Sequence, residues 1–156
     1  MKIEPTAEGD LKLHLEMPIE WLLLLSVLHD TESGGFDLAE RVGGAAAEVC
    51  EDWRELVLPE LRERFGSERR VVETALAAGR RAGFATPHSL TIPRRDFSAW
   101  YALFNHARLA LEARWNFGPN PQERAGGQGA EEFNAALLRA QLYQVIQVQL
   151  LDLGLD

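Results

Sequence analysis

A single positive charge in the middle of an apolar stripe constrains this chain more than any other feature. Over Asp96–Trp115, DFSAWYALFNHARLALEARW, helical spacing puts Phe97, Tyr101, Phe104, Arg108, Leu111 and Trp115 on one face. Five of the six are bulky and apolar or aromatic; the sixth is Arg108, with Asn105 and Glu112 one turn to either side. A helix with so much aromatic surface has to be covered by its neighbours, so 96–116 is expected to be the central rod of the fold. A guanidinium on that face costs several kcal/mol unless it is paired or hydrogen-bonded. Two readings stay open. Glu112, or an acid from another helix, satisfies Arg108 together with carbonyl oxygens as a structural pin. Alternatively, Tyr101, Asn105 and Arg108, with Arg114 offset toward another face, line a cleft that holds a small anion or a partner's carboxylate.

The other elements follow from periodicity. Leu11, Leu13 and Leu15 alternate with Lys12, His14 and Glu16, which predicts the second strand of a β-hairpin over 1–16, turned at Glu8-Gly9-Asp10. Pro5 confines the first strand to an edge. Pro18 suits the first position of a helix through His29 that is apolar nearly all round and ends at the polar loop from Asp30. A short turn from Asp37 is expected to break or bend at Gly43-Gly44. An amphipathic helix then runs from Ala46 through Trp53 and kinks at Pro59, which cannot donate to the Glu55 carbonyl. Gly66 is expected to stop it and Ser67 to cap a new helix to about Ala82. Leu90 and Ile92 alternate with polar neighbours, which predicts a third short strand at 88–92, and Asp96 is a fitting N-cap for the central helix.

Residues 117–130 hold two prolines and four glycines, and their only bulky apolar residue is Phe117, so a flexible surface loop is expected there. The last helix, 131–153, has no charged residue between Arg139 and Asp152. Gln141, Gln144, Gln147 and Gln149 supply its polarity. That pattern predicts a helix covered on more than one side, and its amides suit self-association, a homodimer contact through 131–153. The fold class is thus mainly α, a bundle of about five to six helices around 96–116 with a small N-terminal hairpin, in a single domain over 1–156.

Several function classes are excluded or disfavoured. A net charge of −8 opposes a nucleic-acid surface, which needs a concentrated positive field. Cys50 is the one cysteine, so neither an intrachain disulfide nor a cysteine-rich metal site can form. On the apolar side of its helix it reads as a packed thiol rather than a nucleophile. His14, His29, His88 and His106 lack metal-ligand spacing, and no phosphate loop or nucleophile elbow occurs, so no metal and no cofactor is expected. The longest apolar run, Trp21–Leu28, is too short to span a bilayer. With no signal-peptide pattern at the start, the expected location is cytoplasmic.

EDWRELVLPELRERF over Glu51–Phe65, the central segment and the closing LLRAQLYQVIQVQLLDL resemble a small uncharacterised bacterial all-α family often encoded near the protease adaptor ClpS. The likeness includes Leu11–Leu28 and is most specific at Trp100, Asn105, Arg108, Leu109, Leu111 and Arg114. It implies a helical fold and no assigned activity. The function expected is therefore that of a non-catalytic helical protein acting through protein contacts, as a homodimer or an accessory subunit. An anion-binding or enzymatic site around Tyr101, Asn105 and Arg108 is the alternative.

Overall fold

A computed structural model describes residues 1–32, 35–47, 51–81, 88–118 and 129–154. Three strands, β1 (Lys2–Pro5), β2 (Leu11–His14) and β3 (Ser89–Ile92), form one antiparallel sheet in the order β1-β2-β3. Five α-helices follow the expected mainly α class: α1 (Pro18–Asp30), α2 (Leu38–Ala47), α3 (Leu58–Arg81), α4 (Phe97–Trp115) and α5 (Ala130–Asp152). α4 packs against all four of the others, so the aromatic segment is the centre of the bundle.

Alternation in the strands aims Leu11, Leu13, Leu90 and Ile92 at the helices, where all four are buried. They join Trp21, Leu24, Val72, Leu76, Phe97, Trp100, Phe104, Tyr143 and Ile146 in one continuous core. The register Leu13↔Leu90 and Leu11↔Ile92 keeps every apolar side chain of the sheet on that face.

Several local expectations are corrected. Glycines 43 and 44 do not break α2, which runs through both. The indole of Trp53 lies so close over Gly43 that a Cβ there would collide with its ring nitrogen, so the glycine serves a close approach and not a turn. Asp37 starts this helix by accepting the Ala39 and Glu40 N–H groups on Oδ1, at 2.9 and 3.1 Å. At Pro59 the missing donor is met by a π-helical turn over Trp53–Val57, in which Leu58 N–H reaches the Trp53 carbonyl, and the chain continues into α3. Gly66 does not end that helix, nor does Ser67 cap a new one: Ser67 Oγ donates back to the Arg64 carbonyl at 2.8 Å inside a continuous α3. An interior glycine costs a helix about 1 kcal/mol, a small penalty beside the burial of Leu58, Val72 and Leu76 along the same element.

Asp96 stands at the N-cap of α4 but its carboxylate caps nothing; a 3₁₀ turn over Arg94–Asp96 leads the chain in instead. α1 is not covered all round, for Ile19 and Leu22 are about half exposed while Glu20 is buried. The Glu20 carboxylate accepts the N–H groups of Glu16 and Met17, at 2.6 and 3.1 Å, and pairs with the Met1 ammonium. Burial opposes its ionisation, but the Met1 ammonium and these two backbone donors outweigh it and hold the carboxyl below its usual range. Of 117–130, residues 119–128 lie outside the described residues, as does Cys50. Phe117 belongs to the core, edge-on to Phe133 at 5.5 Å.

Candidate functional site

Arg108 is half-buried on the flank of α4 that meets α5. Its partners are not acids. Nη1 donates to Gln147 Oε1 at 2.8 Å and Nη2 reaches Gln144 Oε1 at 3.5 Å, while Glu112 is exposed and forms no pair with it. Gln147 is itself buried, and its Nε2 donates to the Tyr101 carbonyl at 3.1 Å, so one amide spans two turns of α4. Amide oxygens suit this position because they accept hydrogen bonds without bringing a second charge out of water. The expectation of a carboxylate partner is thereby corrected. Arg114 lies elsewhere, exposed, with its guanidinium over the Trp115 ring at 5.2 Å. Tyr101, Asn105 and Arg108 occupy an edge between two helices, and none of them, nor Arg114, lines any cavity described below.

A second polar set was not legible from spacing. Asp30, read from the sequence as the first loop residue, is the last residue of α1 and is 1% exposed. Its Oδ2 accepts from Arg139 Nε and from the Tyr143 hydroxyl, both at 2.8 Å, so α1 and α5 are joined across 109 and 113 residues of sequence. Burial, reinforced by the adjacent carboxylate, pushes the Tyr143 phenol far above its usual value, so it remains a donor to Asp30. The one available signal was that Arg139 is the last charge before the uncharged half of its helix.

A third group surrounds His106. Its ring lies between Phe36 and Phe65, with centroids 5.8 and 5.9 Å away. It faces a cavity of about 250 Å³ between α2, α3 and α4 that Leu103, Asp37, Arg62 and Arg69 also line. Arg62 donates from Nε and Nη2 to Asp37 Oδ2 at 3.0 and 2.8 Å, and also reaches Glu40. Arg69 Nη1 bonds the Leu28 carbonyl and Thr31 Oγ1 and pairs with Glu32. His106 Nε2 is buried with no hydrogen-bond partner among the described residues. Burial is the main cause that lowers its pKa; Arg69 adds to this and Asp37 opposes it.

That shift has a defined sign. The unfolded chain takes up the His106 proton near pH 6.5, and the folded protein only at lower pH. The contribution of neutral His106 to stability is therefore complete above about pH 6.5 and is lost as pH falls toward the folded value. Asp37 and Glu20 both have lowered carboxyl pKa values and act in a separate, more acidic window. Urea denaturation at pH 7.5, 6.0 and 5.0 is expected to show wild-type stability already falling by pH 5.0. His106→Phe, which suits a slot between two phenyl rings, is expected to flatten that decline. An equal decline in the variant would assign it to other groups.

The architecture defines a class: a mainly α bundle with a small antiparallel sheet, whose described polar clusters tie helices together. Within that class, the chain belongs to DUF2017, a domain of unknown function, whose family pattern spans residues 40–153. The match begins inside α2, takes in α3, β3, α4 and α5, and leaves out β1, β2 and α1. No curated protein and no solved structure matches the chain.

Proposed function

We propose that this is a non-catalytic helical protein that works through protein contacts, beginning with a second copy of itself docked along the outer face of α5. The observation that carries the reading is the surface of that helix. Leu138, Val145, Val148 and Leu151 are 52, 52, 46 and 49% exposed, although each is a branched apolar residue. Gln141 and Gln144 are the exposed polar residues between them, and no charge interrupts the stripe from Ala140 to Leu151. The spacing 138, 141, 145, 148 is the three-and-four alternation of a helix-pairing seam. Charged residues cover most solvated helix faces, and their absence over three turns suits a face that becomes dry.

The stripe can also pair with a second copy of itself. Two antiparallel copies related by a two-fold near the middle of the seam set Leu138 opposite Leu151 and Val145 opposite Gln144, the geometry of an isologous contact. Arg108, held by Gln144 and Gln147, fixes the rim of that face. The lone cysteine and the sequence resemblance support a bacterial cytoplasmic setting.

Light scattering coupled to gel filtration at tens of micromolar is expected to give twice the 17.4 kDa chain mass. Val145→Arg combined with Val148→Glu should return the chain mass with unchanged helical circular dichroism. A wild-type protein that elutes as a monomer at that concentration sinks the reading.

A further inference from the structure

Among the described residues the sheet has two outer edges, and they differ in how far they are protected against further pairing. In an antiparallel pair, residues alternate between those whose N–H and C=O face the neighbouring strand and those whose groups face away. Leu15 N–H bonds the His88 carbonyl at 2.8 Å, and the register sets Leu13 opposite Leu90 and Leu11 opposite Ile92. His88, Leu90 and Ile92 thus turn their backbone groups to β2, and Ser89 and Thr91 turn theirs outward. The same alternation on the far side gives the outward positions of β1 to Ile3 and Pro5. Pro5 has no N–H to offer, and Lys2 and Glu4 form an ion pair on that strand, both common devices for blunting an edge. Ser89–Ile92 itself contains neither a proline nor a charge, so Ser89 and Thr91 keep their outward N–H and C=O groups before Pro93 ends the edge.

Alongside the outer edge of β3 runs a groove of about 730 Å³ between β3 and α3. The helix presents small residues to it, Ala75, Ala78 and Gly79, which leave room for a backbone to approach. Arg70 and Arg95 also line it. Arg70 has no acid partner among the described residues, and Arg95, 83% exposed, is 3.8 Å from Asp96, its weak neighbour. Two guanidiniums against one carboxylate make this groove locally positive in a chain whose net charge is −8.

From these observations we infer that the groove between β3 and α3 takes an extended acidic peptide segment of a partner protein, which adds as a fourth strand to the edge of β3. Main-chain bonds to Ser89 and Thr91 supply the pairing, and carboxylates on the segment meet Arg70 and Arg95. This surface is separate from the outer face of α5, so occupation of one does not require the other.

The test uses the full chain and a fluorescein-labelled hexapeptide alternating glutamate and valine, read by fluorescence polarisation. Saturable binding that weakens with salt is expected, with no binding of the lysine–valine counterpart. Thr91→Pro removes one outward N–H and leaves the bonds to β2 in place, so it should weaken binding about tenfold or more. A hexapeptide N-methylated at alternate residues should lose binding to the unaltered protein, which keeps the test decisive if the proline variant is unstable. Arg70→Glu should weaken binding of the glutamate peptide. Failure of that peptide to bind, or equal binding of its N-methylated form, overturns the inference. A doubled protein mass that Thr91→Pro abolishes also overturns it, since the occupant is then a second copy of this chain.

Discussion

Asp30→Ala is expected to destabilise the protein by about 3–5 kcal/mol, because it strands a largely covered guanidinium without its counter-charge. The Asp30 side chain is 2% exposed and that of Arg139 is 20% exposed, so water reaches the pair only from the arginine side. Tyr143 loses its acceptor in the same variant, and its hydroxyl is left with only the Leu23 carbonyl at 3.3 Å. The measurement is the urea midpoint followed by tryptophan fluorescence. Tyr143→Phe removes the hydroxyl that Asp30 and the Leu23 carbonyl share but leaves the charges paired, so its cost should be nearer 1 kcal/mol. Removing both charges together, Asp30→Leu with Arg139→Leu, should recover most of the loss, since the penalty belongs to the unpaired ion more than to the missing attraction. A loss below about 1 kcal/mol in Asp30→Ala would mean that water enters the site and the network contributes little.

The same network shows where sequence reasoning reached its limit. Periodicity identified α4, α5, the hairpin and β3, because each depends on which residues face one direction along a single element. Asp30 could not be found that way. As an acid before a glycine-containing segment it reads as a loop residue, and only the approach of α5 from more than a hundred residues away makes it a buried anion. The glutamines show a related gap. Their lack of charge was visible, but not that Gln147 turns inward to the Arg108 guanidinium while Gln141 stays outside. A carboxylate was the natural expectation for Arg108, since charge pairing is the commonest way to keep an arginine out of water; two amides meet the same need with less desolvation. Gly43, Gly44 and Gly66 failed for a different reason. Helix propensity is worth about 1 kcal/mol per glycine, and the packing of Trp53 and of the buried residues of α3 exceeds it. In the sequence His106 is one of four histidines without metal-ligand spacing, and its setting between Phe36 and Phe65 depends on two elements that spacing could not bring together.

The second large effect is expected at Phe104, where the central position of α4 can be tested directly. Phe104 is fully buried, tilted against Trp100 at 5.5 Å and stacked on Tyr143 at 5.3 Å. Truncation to alanine removes a ring that touches both its own helix and α5, and large aromatic deletions in packed cores cost about 3–5 kcal/mol. Leu109, on the same helix and 38% exposed, gives the internal control, and Leu109→Ala should cost under about 1 kcal/mol. The contrast matters more than either value. If α4 is the rod against which the bundle is built, sensitivity should follow the buried face through Phe97, Trp100, Phe104 and Leu111 and fall away at Leu109 and Glu112. Because Tyr143 joins the Phe104 stack to Asp30, the Phe104→Ala and Asp30→Ala losses should be non-additive in the double variant, as expected for sites that share a partner. Additive losses would mean that the aromatic stack and the buried ion pair hold α5 independently, and that Tyr143 does not couple them.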